Sequence, residues 1–570
     1  MKKSHVFVLL ILPITLILTA AAMKYARGPY YICSDTDNDY LYLVSSLAMA
    51  ESKQVFFTDH PGTTLQILGA VSLKITHALD FSEKDSLAFA VLKNPEFYLK
   101  VINIVLVSLN VLLLFVIGLV TFNLTKNIGL ALLLQYSPFF SDITLRWGLN
   151  NISCEPLLLF TSMLFVLILV KMVVDENIYK SAHWYMVALS LISGFGIATK
   201  VTFAPLLIIP LIALPKLRNK IGFLLLTAAS AILWTWPIHS QYQRILHFFY
   251  ITLTNTHWYG YGPSGIDTAS IKINLLNMLT GLLYNPLNIL FILTPALIII
   301  IFNWSSAARK KVWHDISFKV LLAVIVSQLF SALIIIKQNA ERYALPALCL
   351  IGFLLFLQLI FLQRRGYFRN LDTKKVTFFI IVFLAFCGAW RVFEFKDTFR
   401  ELLLIKNDTL TYYRKAENEY KNYLKIFINQ QPRSITPSPL AGLSYGDHMA
   451  SHKYSHIKEI SEGRFSKGLY SETLQKIYGE TYFYNLCSGE FYTWTKSFFI
   501  EDMIIKKQVT KIIFYGPPDY RKKKDALIAC RTGSVLHFKD ASDGIYANIY
   551  ALEGIAIKAV NFEQSRFHCY

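Results

Sequence analysis

Charge is scarce in this 570-residue sequence. Asp, Glu, Lys and Arg together make up 16% of it, well below the roughly one-quarter of soluble globular domains. With a positive mean hydropathy of +0.43, that scarcity excludes an ordinary soluble enzyme. Close cysteine pairs are also absent: the seven cysteines show no CxxC and no Cys/His ligand spacing, so no metal framework is written into the chain. Internal repeats and low-complexity tracts are missing as well, which removes solenoids and disordered arrays. The net charge of +19 is not concentrated in any separate basic domain, so nucleic acid is not an expected partner.

What the chain has is apolar length. "VINIVLVSLNVLLLFVIGLV" (101–120) matches the roughly 20 residues that cross about 30 Å of hydrocarbon. Comparable runs cover 5–23, 101–121, 128–144, 154–173, 184–199, 201–215, 221–237, 286–302, 316–336, 343–362 and 376–391. They predict a mainly α, polytopic transmembrane bundle of about eleven spans. The N-terminal "MKKSHVFVLLILPITLILTAAAM" also fits a cleavable signal peptide, but the many spans behind it favour an uncleaved first helix with Lys2 and Lys3 inside. Threaded from a cytoplasmic N-terminus, the basic loops "KLRNK" (216–220), "ARKK" (308–311) and "QRRGYFRNLDTKK" (363–375) all fall inside, as the positive-inside rule demands.

The same threading puts residues 24–100, 238–285 and everything after about 392 outside. Residues 1–392 therefore read as a membrane domain and 393–570 as an exported α/β domain. The latter has mixed charge, an amphipathic stretch "ENEYKNYLKIFINQ" (417–430) and strand-like runs "VTKIIFYGPP" (509–518), "SVLHF" and "GIYANIYAL". Cys154, Cys349 and Cys387 sit in or beside apolar segments and read as packing residues. An exported C-terminal domain would allow one disulfide among Cys487, Cys530 and Cys569, with one thiol left over. In the first outer loop, 40–51 and 64–79 are apolar but short for spans, which suits amphipathic helices lying along the interface.

"SDTDNDYLYL" (34–43) carries Asp35, Asp37 and Asp39 at alternate positions. An EF-hand loop opening at Asp35 would need Gly at its sixth position and Glu at its twelfth; those positions hold Tyr40 and Ser46, so that reading fails. Capping of the helix that follows, by Asp37 or Asp39, is a second role.

About twenty residues on comes "DHPGTTLQILGA" (59–70), then "NNISCEPLLLF" (150–160), "GFGIATKVTFAPLLIIP" (194–210) and "AERYALPALCLIGFLL" (340–355). Together with the acids, these segments resemble, in order and topology, the GT-C class of membrane glycosyltransferases over roughly residues 1–390. The resemblance is greatest to the branch holding the protein O-mannosyltransferases and the lipid A aminoarabinose transferases. Relatives often carry adjacent acids, Asp-Glu; here the acids alternate, and Asp37 and Asp39 are both candidates.

The resemblance implies transfer of a sugar from a polyprenyl-phosphate carrier to a lipid, glycan or protein acceptor at the outer face. Asp39 or Asp37 would be the base, Lys200 and Arg342 would hold the donor phosphate, and His257, Tyr259, Tyr343 and His60 would meet sugar or carrier. Asp35 and Glu155 would support the base or hold a divalent metal ion, which some members of the class use. It implies a bacterial inner or plasma membrane location, with the C-terminal domain outside. Physical chemistry adds to this. An ammonium at Lys200, between two apolar helices, is costly near lipid without a counter-ion, unless it snorkels to the interface. A phosphate suits Lys as a point charge and Arg as a fork. The loop "THWYGYGPSGID" (256–267) adds aromatics, His257 and Asp267 on the same face, although Gly/Tyr loops are often plain connectors. The rival readings are a transporter or flippase of lipid-linked saccharides, which would favour paired repeats with broken helices, and a non-catalytic membrane scaffold or receptor.

Overall fold

The computed structural model describes residues 3–277 apart from 33–38, 60, 81–83, 147–148, 176, 258–261, 266–267 and 269–270. It further describes 315–516 apart from 339–340, 365–372, 430–437, 452–466, 486–489, 501–502 and 504–510, and the strands within 525–559. Among these residues, eight helices are long and apolar enough to cross a membrane: Lys3–Arg27, Pro95–Thr125, Cys154–Val174, Ile178–Thr199, Leu217–Thr254, Ile316–Ile334, Arg342–Arg364 and Lys374–Asn418. The chain is an integral membrane protein with a helical bundle and a C-terminal sheet.

Eight of the eleven expected spans thus appear as such. Segment 286–302 lies outside the described residues. Segment 201–215 is only a short apolar helix, Val201–Ala213, which opens as a tight 3-10 turn around Pro205. Segment 128–144 breaks into Ile128–Gln135, a 3-10 turn Ser137–Phe140 and Asp142–Arg146. Pro138 lies at that break, and proline cannot donate the backbone bond a continuous helix needs.

The helix Cys154–Val174 runs through the middle of the bundle. Leu158, Leu159, Phe165, Val166, Leu169, Val170, Met172 and Val173 leave no face of it open, as expected of a helix that is apolar all round. Outer helices keep apolar faces exposed, with Phe378, Phe379, Phe386 and Phe393 on one and Leu224, Leu225 and Leu233 on another. Such faces belong against lipid. Close approaches use small residues: a Cβ at Gly118 would stand 2.3 Å from Gln135 Nε2, which donates to the carbonyls of Leu9 (2.9 Å) and Leu114 (3.0 Å).

Helix ends sort onto two faces. At one, Thr377 Oγ1 donates to Asn127 Oδ1 (3.0 Å) and Arg364 to the Val173 carbonyl (2.8 Å) and Asp315 (3.4 Å). At the other lie Arg27, Asp39, Asn150, Glu155 and Lys200.

The last helix, Thr373–Asn418, runs 46 residues without a break at 392. At 1.5 Å per residue it extends roughly 70 Å, so it leaves the bilayer and carries the chain to the sheet. Strand Leu424–Asn429 lies parallel to Tyr482–Asn485 on one side and Lys511–Gly516 on the other. Antiparallel strands Phe491–Tyr492 and Ser497–Phe498 extend one edge, and Asn548–Glu553, Ser534–Asp540 and Asp525–Ala529 the other. Of the runs expected at 509–518, "SVLHF" and "GIYANIYAL", the described residues form strands: Lys511–Gly516, Ser534–Asp540 and Asn548–Glu553. The amphipathic stretch 417–430 ends one helix and forms a strand, because its apolar residues alternate: Ile426 and Ile428 pack on one face of the sheet, Phe427 on the other.

That Phe427 face continues into the membrane part through a single core holding Tyr40, Leu43, Leu47, Ala441, Phe483 and Tyr515. Both helices expected in the first loop are present, Asp39–Ala50 and Thr63–Leu79. The second keeps Val71, Ile75 and Leu79 exposed, as an interfacial helix should. The first differs from the expectation: it is buried on nearly every side, packed against both Thr63–Leu79 and helix Pro439–Ser451. Cys154, Cys349 and Cys387 are buried, as packing residues would be; the other four cysteines lie outside the described residues.

Candidate functional site

The first helix stops at Arg27 because Gly28 adopts φ +78°, a conformation glycine takes without strain. The turn that follows is fixed by Glu96, in the first turn of Pro95–Thr125, where an acid suits the helix dipole. Its carboxylate accepts the N–H groups of Tyr30 (2.9 Å) and Tyr31 (3.1 Å) and the hydroxyl of Tyr40 (2.9 Å).

Asp39 opens the next helix and is fully buried. Its carboxylate forms an ion pair with Arg27, through a close contact at Oδ2 and a longer one at Oδ1 (3.4 Å). Oδ1 also accepts the Ile152 N–H (2.5 Å), while Arg27 donates to the Asn150 carbonyl (2.6 Å). Arg27 is thus held by a side chain twelve residues on and a backbone turn more than a hundred residues on.

A second buried ion pair stands on the same turn. Glu155, in the first turn of its helix, receives Lys200 Nζ at 2.5 Å. Lys200 ends helix Ile178–Thr199 in an extended conformation and forms an antiparallel bridge with Pro61; beside it Thr64 and Thr199 hydroxyls meet at 2.7 Å. Gly62, at φ +70°, takes the chain past Cys154, whose Sγ would be 3.5 Å from a Cβ there. Lys200 Nζ lies over the Tyr343 ring, 4.9 Å from its centre, and the Arg342 guanidinium is 5.8 Å from the same centre. Both distances are within cation–π range.

The turn 149–156 joins the two pairs, and helix Pro95–Thr125 holds it at either end. Asn103 donates to the Leu149 carbonyl (3.3 Å), Asn110 to that of Pro156 (3.0 Å). Arg27, Asp39 and the stretches 61–64, 150–155, 199–200 and 342–343 therefore meet, although they lie far apart in sequence.

Of the residues picked from sequence, the structure brings together Asp39, Glu155, Lys200, Arg342 and Tyr343. Asp35, Asp37, His60 and Tyr259 lie outside the described residues, as does Asp267. His257 is exposed, at φ +61°, in a loop closed by the Asn255–Ser264 bridge. Lys337, on the helix preceding Arg342, ties the base of that loop by donating to the Leu253 carbonyl (2.6 Å). Arg27 and Glu96 went unnoticed in sequence. Each is a charge at the end of an apolar run, which does not set it apart in sequence from a charge that faces water. Arg244, also missed, is anchored on the Phe56 carbonyl and on Asp59 (3.2 Å), which fixes the chain just ahead of Pro61.

Among the described residues no three His, Cys, Asp or Glu side chains gather to hold a metal ion. Asp39 and Glu155 are each neutralised by a protein cation, which leaves a metal little negative charge to bind there.

No protein-family model matches the chain, and no curated protein matches it. Among solved structures it is similar to ArnT from Cupriavidus metallidurans bound to undecaprenyl phosphate, at 11% identity and a TM-score of 0.38, over 94% of this chain and 97% of that one. It is also similar to the Archaeoglobus fulgidus oligosaccharyltransferase tethered to an acceptor peptide, at 13% identity and a TM-score of 0.40, over 85% of this chain and 69% of that one. Both are GT-C glycosyltransferases.

Proposed function

We propose that the chain is a membrane glycosyltransferase that moves one sugar from a polyprenyl-phosphate carrier to an acceptor hydroxyl or amine. The observation that carries this reading is the meeting of two buried ion pairs, Arg27–Asp39 and Lys200–Glu155, with Arg342 and Tyr343 at helix ends on one face. Buried charges near lipid are costly and usually serve function. These stand where motifs resembling the GT-C class fall.

In the reaction the bond from the anomeric carbon to the phosphate oxygen breaks as the bond to the acceptor oxygen or nitrogen forms. A single displacement inverts the carbon. The phosphate keeps the electron pair of the broken bond, and Lys200 and Arg342 stabilise the charge it gains. Lys200 meets that phosphate by sharing or exchanging its contact with Glu155. The acceptor proton goes to a carboxylate. Asp39 has both oxygens taken up by Arg27 and Ile152, so we assign it to anchoring its helix, with Asp37 as the base. Tyr343 lies beside the phosphate, while His60, His257 and Tyr259 are assigned to sugar or carrier. Asp35 supports the base. Residues 1–392 carry the chemistry on the outer face of a bacterial inner or plasma membrane, with the N-terminus cytoplasmic and residues 393–570 outside.

The test uses the purified chain in nanodiscs, radiolabelled lipid-linked sugars extracted from cell membranes, and mass spectrometry of the polyprenyl phosphate released. Asp37→Asn should lower turnover by about 10²–10⁴-fold, the usual worth of a general base. Turnover equal to the wild type in both Asp37→Asn and Asp39→Asn removes the acids from the chemistry.

A further inference from the structure

Helix Asp39–Ala50 is gripped at both ends by the C-terminal part of the chain, and the chemistry above makes no use of that grip. At the N-terminal end, helix Pro439–Ser451 crosses Tyr40 with two glycines. A Cβ at Gly446 would stand 2.7 Å from the Tyr40 carbonyl oxygen and 2.9 Å from its carbon; one at Gly442 would be 3.3 Å from the Tyr40 ring. At the C-terminal end, Tyr470 donates its hydroxyl to Glu51 (2.8 Å), and Lys53 lies over the Tyr470 ring (4.2 Å). Asp447, one residue after Gly446, accepts the Tyr470 N–H (2.8 Å) and the Ser471 hydroxyl (3.0 Å). One short helix therefore governs both contacts.

From the opposite side, Glu96 takes the Tyr40 hydroxyl together with the Tyr30 and Tyr31 N–H groups. Tyr40 is thus pressed between backbone on one side and a fixed carboxylate on the other. It adjoins Asp39, held by Arg27 and the Ile152 N–H and two residues after Asp37 in the sequence.

We propose that Gly446, Tyr40 and Glu96 are positioning residues for the transfer reaction, and that the C-terminal part is a clamp setting where the acid-bearing helix begins. The proposal rests on the transferase reading. Close-packed interiors transmit small displacements rather than absorbing them. A methyl group at 446 meets backbone, which has no rotamer to yield, so the two helices must part. A role confined to folding would change the amount of intact protein but not the turnover of each molecule. Positioning lowers turnover while leaving the hold on phosphate unchanged, because Lys200 and Arg342 stand on other elements.

The experiment compares full-length wild type, Gly446→Ala and Tyr40→Phe in nanodiscs. It measures turnover per folded molecule with the radiolabelled lipid-linked sugars of cell membranes, the Kd for polyprenyl phosphate, and backbone hydrogen exchange. Gly446→Ala should lower turnover by about tenfold or more, since ångström-scale misplacement of reacting groups costs up to about 10². Its Kd should stay within about threefold of wild type, with faster exchange confined to 39–50 and 439–451. Tyr40→Phe, which removes only the hydroxyl, should lower turnover by about threefold or more. Wild-type turnover in both variants overturns the proposal, as does a loss that matches a rise in Kd. If the wild type transfers no sugar at all, the transferase reading fails on its own. The clamp is then judged by exchange, and unchanged protection of 39–50 in Gly446→Ala overturns it.

Discussion

The single residue that best shows how this site is made is Lys200. An ammonium with almost no exposure persists near lipid only because Glu155 lies 2.5 Å away, and each charge is the other's solvent. Breaking such a pair from one side leaves an uncompensated buried charge, at a cost of about 3–5 kcal/mol. Removing both charges together is far less damaging. Lys200→Met should therefore destabilise the protein strongly in thermal unfolding in detergent, and Lys200→Met with Glu155→Gln should recover most of that loss. The double variant should still fail to bind polyprenyl phosphate, which separates the structural share of Lys200 from its functional share. Lys200, Glu155 and Asp39 were legible in sequence because each is a charge set against an apolar background. Arg27 and Glu96 were not, because their roles come from chain reversals at 28–32 that leave no periodic trace. An arginine or glutamate at the end of a span looks the same whether it faces water or a partner.

Among elements, the short pieces were the hardest to read. Segments 128–144 and 201–215 have the hydropathy of spans, but Pro138 and Pro205 divide them, and those prolines were the signal to weigh against apolar length. Strand Leu424–Asn429 was hidden in an amphipathic run because its aromatic and aliphatic residues alternate over only six positions. The long helices, by contrast, follow directly from runs of about 20 apolar residues. Helix Pro439–Ser451 has a titration of its own. Burial raises the Asp447 carboxyl from 3.8 to about 6, opposed in part by hydrogen bonds from Tyr470, Ser471, Ser451 and Leu469. A carboxyl whose pKa is higher in the folded protein contributes stability that is fully present below about pH 4 and lost as pH rises through about 6. Unfolding of the C-terminal part should accordingly become easier between pH 4 and 7, by an amount on the order of 3 kcal/mol from this group. The part of that slope due to Asp447 should vanish in Asp447→Asn. The same slope in both proteins, measured by hydrogen exchange of residues 439–451, would contradict the assignment.

For the molecule as a whole, burial and hydrogen bonding sort helix ends onto two faces, and every described site residue sits at one of them. The alternation of spans gave that sorting from sequence alone. What it could not give was the continuous core joining sheet and membrane bundle through Tyr40, Ala441 and Phe483. Contacts between distant segments depend on shape, and neither hydropathy nor charge encodes them. The central claim is that Lys200, Arg342 and Tyr343 form the seat of a lipid-linked phosphate. Its most direct test is an experimental structure of the protein in nanodiscs saturated with polyprenyl phosphate. The account predicts a phosphate within hydrogen-bond reach of Lys200 Nζ and the Arg342 guanidinium, with the lipid tail running out between helices. A phosphate bound at the opposite face, or the Lys200–Glu155 pair undisturbed with the lipid bound elsewhere, would contradict it.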